Sequence, residues 1–281
     1  MITLFTIPKT FCGHIATIQR NAIRSWTLMR PRCEIILFGD EEGTTTVAAE
    51  MNVRHSPIIA RNEYGTPLVS DAFEQTAKCS TKDILGYINS DILLFDDFLA
   101  AIDRIANKKR KFLMIGQRWD LDIDQQINFS QNWQLQVRNL ISDCGTLHPR
   151  YGIDYFVFPR GLFENIPPFA VGRPGWDNWM VYQAKNSGYS VIDATKAVTA
   201  VHQNHDYSHV PKRVGLKYNG PEGTRNRELM GDKSHILTID DANYVLTKRL
   251  IRPALTRRIK KPIESSIISI KNYIIKYKKW I

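Results

Sequence analysis

A chain of 281 residues, 43% hydrophobic and 23% charged, is long enough to bury a substantial core and reads as an ordinary soluble globular protein. No apolar run approaches the roughly 20 residues that a bilayer-spanning helix needs. The net charge of +10 is concentrated at one end: eleven Lys/Arg and a single acid, Glu264, follow from Lys248 onward, which leaves equal numbers of acids and bases before it and excludes a body built as a polycation for nucleic acid.

The start, MITLFTIPKTF, lacks a basic segment followed by a long apolar one, so it predicts a first strand over residues 3–7 and no cleaved secretory signal. Cys12, Cys33, Cys79 and Cys144 are far apart and form no CxxC, which argues against a zinc ribbon or a disulfide scaffold and for reduced, cytosolic thiols. HIATIQRNAIRSWTLM places Ile15, Ile18, Ala22, Ile23 and Trp26 at helical spacing, and Pro31 ends that helix. CEIILFGD is a second buried strand with Asp40 at its carboxyl end. TTTVAAEMN predicts a short helix, VRHSPII a third strand or extended segment, and TPLVSDAFEQTAK a helix with Pro67 near its first turn.

Next comes DILGYINSDILLF, a strand interrupted by Asn89, Ser90 and Asp91. FLAAIDRIANKK predicts a helix, and KFLMIGQRWD a strand ending in polar residues. Beyond it, NFSQNWQLQVRNLISDCG is helical, GIDYFVFPRGLF a strand and turn, and WDNWMVYQAKNSG a helix closed by Gly188. YSVIDATKAVTAVHQNH supplies a further strand or two. No internal repeat is present, and the polar, glycine-rich residues 205–247 predict a long loop or lid. Strands alternating with helices specify an α/β fold with a mostly parallel central sheet flanked by helices.

Several polar clusters follow directly on predicted strands: Asp40, Asn89 to Asp91, Arg118 to Asp120, and His202 to His209. In a parallel sheet those ends converge on one edge, where residues distant in sequence can share a pocket. Asp91 has two readings, a turn residue between strands or a metal ligand at a strand's carboxyl end. An ionised carboxylate within such an apolar run is costly unless something pairs with it. In GRPGWDNWMVY the carboxylate of Asp177 stands between two tryptophans at a helix start, which favours its ionised form. It serves there either as a helix cap with Trp176 and Trp179 in the core, or as a base. The spacing of His202, His205 and His209 also fits a self-contained zinc site on a helix, or a structural role for all three.

The order of these elements, with YINSDILLF, GWDNW and a late histidine, resembles the GT-A glycosyltransferases, the nucleotide-diphospho-sugar transferase superfamily. The resemblance spans roughly residues 1–210, and this chain keeps only the last carboxylate of that family's DxD motif, as Asn89-Ser90-Asp91. It implies a Rossmann-like GT-A domain over 1–210, followed by the loop or lid over 211–247. The activity implied is metal-assisted transfer of a sugar from a nucleoside diphosphate to an acceptor hydroxyl, hexosyltransferase-like and inverting. Asp91 with His202, and His205 second, would hold Mn²⁺ or Mg²⁺, and Asp177 would be the base. Thr6, Pro8, Asp40, Arg61 and Asn89 fall to the nucleotide; Trp119, Asp120, Asp154, Trp176 and Asn178 fall to the sugar or acceptor.

The basic segment 248–281 has a pattern of its own. Ile263, Ile267, Ile270, Ile274, Tyr277 and Ile281 recur at alternating steps of four and three, the stripe of an amphipathic helix suited to an anionic membrane surface; packing on its own domain is the other reading. The expectation is a cytoplasmic protein, peripheral on the inner face of the membrane, acting on a glycan or lipid-linked glycan in polysaccharide biosynthesis. A sugar-phosphate nucleotidyltransferase would want a GxGTR-like loop, which TIPKTFCGH does not supply. A catalytically silent nucleotide-sugar-binding or membrane-surface protein of the same fold is the alternative.

Overall fold

Strand β1 (Ile2–Thr6) is buried along its whole length. Ile2 and Leu4 enter one apolar cluster and Phe5 enters a second one on the opposite side, as the two-residue period of a strand requires. In β2 (Glu34–Phe38), Ile35 and Leu37 likewise face away from Ile36 and Phe38. Strands with no face left for water belong in a sheet covered on both sides. A computed structural model describes residues 2–205 and 220–254 and has this arrangement. His209 and the apolar stripe from Ile263 to Ile281 lie outside the described residues.

The main sheet follows the order β13 (Ile251–Pro253), β12 (Tyr244–Leu246), β10 (Ser190–Asp193), β6 (Phe112–Ile115), β9 (Tyr155–Pro159), β4 (Ile84–Ile88), β1, β2 and β3 (Arg54–Ser56). β1 is parallel to β2 and β4, and β10 to β6 and β12, while β9 runs antiparallel between β4 and β6. On one face, α1 (Gly13–Leu28), α2 (Thr44–Met51) and α4 (Asp96–Ala106) bury Trp26, Val47 and Phe98. On the other, α3 (Val69–Cys79) and α6 (Trp176–Asn186) bury Phe73 and Met180. Gly86 in β4 sits in close packing: a Cβ there would meet Leu4 Cδ2 at 2.9 Å and Ile2 Cδ1 at 3.0 Å, so those side-chain ends would have to shift.

A second, smaller sheet has the order β5 (Ile92–Leu94), β11 (Ala200–Gln203), β7 (Trp119–Leu121) and β8 (Thr146–Leu147). Helix α5 (Trp133–Cys144) covers it through Trp133, Val137 and Ile141, which pack with Leu93, Phe95 and Val201.

The structure departs from the sequence expectations in three places. KFLMIGQRWD is two strands in two sheets, because the chain pivots at Gln117, whose backbone N–H donates to Thr195 Oγ1 at 2.9 Å. Helix α3 starts at Val69, three residues later than the expected stretch from Thr66, with Leu68 at its N-cap and Pro67 just before it. The stretch expected as loop carries α7 (Pro221–Met230) and β12: Gly220 and Gly231 bound a helix there, and Val245 pairs in parallel with Asp193. Among the described residues, no helix is long and apolar enough to cross a membrane.

Candidate functional site

The carboxyl ends of β1, β2 and β4 open on a cleft of about 470 Å³ whose lining includes Pro8, Lys9, Glu41, Asn89, Asp91 and His202. The interruption after β4 is a turn. Asn89 N–H donates to Asp154 O at 2.9 Å, and Ile92 N–H donates to Asn89 O at 3.1 Å. The Ser90 hydroxyl donates to Gln19 Oε1 at 2.7 Å. This turn hands the chain from the main sheet to the small one and leaves the Asp91 side chain, 9% exposed, at the join.

The register of the small sheet then supplies Asp91 with neighbours. His202 pairs with Ile92 on one side and with Asp120 on the other. Its Nε2 lies 3.9 Å from Asp91 Oδ2 and its Nδ1 lies 3.4 Å from Asp120 Oδ1. His205 Nε2 lies 3.2 Å from Asp91 Oδ2, and Lys9 Nζ lies 3.5 Å from the same oxygen. Burial pushes the Asp91 carboxyl up, but the Lys9 ammonium and the two imidazoles outweigh it and hold the group well below the usual carboxylate range.

One carboxylate oxygen and two imidazole nitrogens within 4.8 Å of one another form a donor set for a divalent cation. Asp91 Oδ1 is buried and has no hydrogen-bond partner among the described residues, an oxygen that a metal ion would satisfy. The residues present therefore fit such an ion. Asp120 accepts from His148 Nδ1 at 2.6 Å and from Arg118 Nε at 2.9 Å as well as facing His202, so it orients that ring with Nε2 toward Asp91. Arg118 also pairs with the buried Asp154, whose Oδ1 accepts from Asn89 Nδ2 at 2.8 Å. The guanidinium thus ties both acids to the floor of the cleft.

Asp177 stands in the first turn of α6, after Gly175, whose φ of +101° favours glycine. Burial raises its carboxyl to about 6; backbone N–H groups of the helix start pull it down and the charge of Asp154 pushes it up. Asp177 is partly exposed and does not line the cleft, although its neighbours in sequence Gly172 and Arg173 do.

The other residues singled out in the sequence divide into two groups. Pro8, Asn89, Asp91, Asp154, His202 and His205 line the cleft. Thr6 is buried inside β1, away from the lining. Arg61, expected at the diphosphate, is instead held by Asp40 at 2.5 Å, Glu41 at 2.9 Å and Gly65 O at 2.9 Å, so opposite charge keeps it and Asp40 out of the lining. Trp176, expected as a sugar platform, is core: it is 4% exposed and packs edge-on against Tyr87, centroids 5.3 Å apart. Trp119 packs against the small sheet's cluster. Asn178 donates to Tyr151 O at 3.2 Å and Leu237 O at 2.9 Å, joining two loops.

Sequence reasoning missed Lys9, Glu41, Arg173 and His148. Lys9 was findable by the strand-end argument, since it follows β1 as Asp40 follows β2. Arg173 and His148 come from irregular segments and carry no such signal.

No family model matches the chain, and no curated protein matches it in sequence. Solved structures resemble it in shape. Glucosyl-3-phosphoglycerate synthase from Mycobacterium tuberculosis in complex with phosphoglyceric acid aligns over 90% of this chain and 89% of its own at 14% identity, with a TM-score of 0.48. The mannosyltransferase PcManGT from Pyrobaculum calidifontis, in complex with GDP-Man and Mn²⁺, covers 76% of this chain and 59% of its own at 13% identity, TM-score 0.46. GalNAc-T7 with UDP, GalNAc and Mn²⁺ covers 82% of this chain and 48% of its own at 13% identity, TM-score 0.52. This chain thus spans about half of that last protein's length. What the likeness to GalNAc-T7 shows is architecture alone: the chain has a GT-A fold.

Proposed function

We propose that this protein is a glycosyltransferase that moves a sugar from a nucleoside-diphosphate sugar to an acceptor hydroxyl. The observation that carries the reading is the cluster of Asp91, His202 and His205 at the sheet edge, with a buried carboxylate oxygen that lacks a partner among the described residues. Asp91, His202 and His205 would hold a divalent cation, and the imidazole donors favour Mn²⁺ over Mg²⁺, which keeps to oxygen. Such an ion neutralises the charge that develops on a departing diphosphate. Pro8, Asn89 and Glu41 would flank the nucleotide and Asp154 the sugar.

Asp177 is the proposed base. It would take the acceptor's hydroxyl proton as that oxygen bonds to the anomeric carbon and the carbon's bond to the diphosphate breaks, an inverting displacement. A carboxyl near 6 suits this task, being ionised at neutral pH yet a stronger base than a free carboxylate. Asp177 follows Gly172 and Arg173, which line the cleft, by five and four residues. The acceptor proposed is a glycan or a lipid-linked glycan in polysaccharide biosynthesis, met at the inner face of the membrane through the basic segment that ends the chain.

A panel of UDP- and GDP-sugars, screened by thermal shift with and without Mn²⁺ and then by turnover, tests the reading. One donor is expected to raise the melting temperature only with Mn²⁺, and Asp91→Ala to abolish both that shift and transfer. Full activity of Asp91→Ala, or no stabilising nucleotide sugar at all, overturns it.

A further inference from the structure

Among the described residues, three Lys/Arg side chains line the cleft: Lys9, Arg118 and Arg173. Two of them are committed to buried carboxylates. Arg118 is held by Asp154 and Asp120, and Arg173 Nη2 and Nε lie 2.5 and 3.0 Å from Glu222 Oε2, on a side chain 1% exposed. Lys9 differs. Its ammonium lies 3.5 Å from Asp91 Oδ2 and 3.2 Å from His205 Nε2, and both side chains belong to the set that fits a metal ion.

An ammonium in that position and a divalent ion held by the same two side chains compete for His205 Nε2 and stand close together at the Asp91 carboxylate. Like charges a few ångströms apart repel strongly, and a lone pair given to one cation is not available to the other. The backbone of Lys9 is fixed, since its N–H donates to Gln19 Oε1 at 2.7 Å and its C=O accepts from Gln19 Nε2 at 2.8 Å. Its side chain is 35% exposed on a flexible four-carbon stem. The ammonium can therefore relocate within the cleft while the chain that carries it stays in place.

We infer that Lys9 is a diphosphate-binding residue that exchanges with the metal: its ammonium neutralises Asp91 before the donor binds, then yields that position and pairs with phosphate oxygens of the incoming nucleotide. The inference rests on the donor-site reading above. It makes metal and nucleotide binding mutually dependent. Metal alone must displace a cation that then has no anion to meet, whereas metal with a diphosphate supplies that anion, and by linkage each favours the other.

Isothermal titration of the full-length protein tests this, with MnCl₂ alone and then with UDP and GDP at saturating Mn²⁺, comparing wild type with Lys9→Met and Lys9→Arg. Lys9→Met is expected to bind Mn²⁺ alone about ten-fold more tightly, because the competing charge is gone. It is expected to bind the preferred diphosphate about ten-fold more weakly. Lys9→Arg, which keeps the charge, stays near wild type in both. A merely structural Lys9 gives no such opposition of signs, since its loss would weaken both affinities or neither. Unchanged or weaker Mn²⁺ binding by Lys9→Met overturns the proposal, as does unchanged diphosphate affinity, and either result leaves the transferase reading standing. Failure of both wild type and variant to bind Mn²⁺ or either diphosphate overturns the transferase reading and this proposal with it.

Discussion

Asp177 is pulled in two directions at the start of α6, where burial raises its carboxyl and the N–H groups of the helix terminus lower it, and burial wins by bringing it to about 6. Because that value lies above the free carboxyl's 3.8, the folded chain binds this proton better than the unfolded chain does. The stability so gained is complete below the unfolded value and is lost as pH rises through about 6. Asp177→Asn removes the charge, so it is expected to raise the melting temperature at pH 7.5, with a ceiling of about 3 kcal/mol, while transfer falls by at least about a hundred-fold. In wild type, transfer is expected to rise with pH through about 6 and then level off. Differential scanning calorimetry and a pH-rate profile check both. A residue that merely caps α6 would show the opposite sign in calorimetry, because its replacement would cost stability.

The small sheet is the element that makes the site, through a register joining residues 110 and 82 positions apart. β5, β11 and β7 align Ile92, His202 and Asp120 across three strands. Asp120→Asn should leave the fold intact, as judged by circular dichroism, and lower Mn²⁺ affinity about 10- to 100-fold in a titration, because His202 loses the carboxylate that orients it. An unchanged affinity would remove Asp120 from that role. The same comparison shows what a single sequence carries. Strands buried on both faces announce themselves as apolar runs, so β1, β2, β4 and the edge where Asp91 lies were legible. Strand pairing across long intervals was not, and neither was the face of α6 that turns inward. Trp176 therefore stands between core and sugar contact in the sequence, and Tyr87 and Phe156 enclose it in the core. Arg61 read as free for phosphate for a related reason, since the loops carrying Asp40 and Glu41 meet it only in space.

Across the whole molecule, a neutral body is joined to a basic end. The sheet continues past the point where composition changes, because Ile251–Pro253 form β13 against β12 and Arg252 pairs with Val245. A deletion meant to isolate the basic segment must therefore begin after Ala254. The chain cut there is expected to fold, to keep its nucleotide-sugar affinity by thermal shift, and to stop pelleting with anionic liposomes that retain the full-length protein. Undiminished pelleting would refute membrane attachment through that segment.

The carboxamide of Gln19 reaches further than its size suggests. It grips both the N–H and the C=O of Lys9 and also accepts from Ser90, next to Asp91. One side chain of α1 thereby gauges the spacing between the exit of the first strand and the acidic turn. Loops around the mouth can drift in evolution, or be swapped by an engineer seeking another acceptor, without altering that spacing, provided the glutamine stays. Glutamate in its place keeps the oxygen but has no proton to offer Lys9, so even this near-isosteric exchange would loosen the gauge.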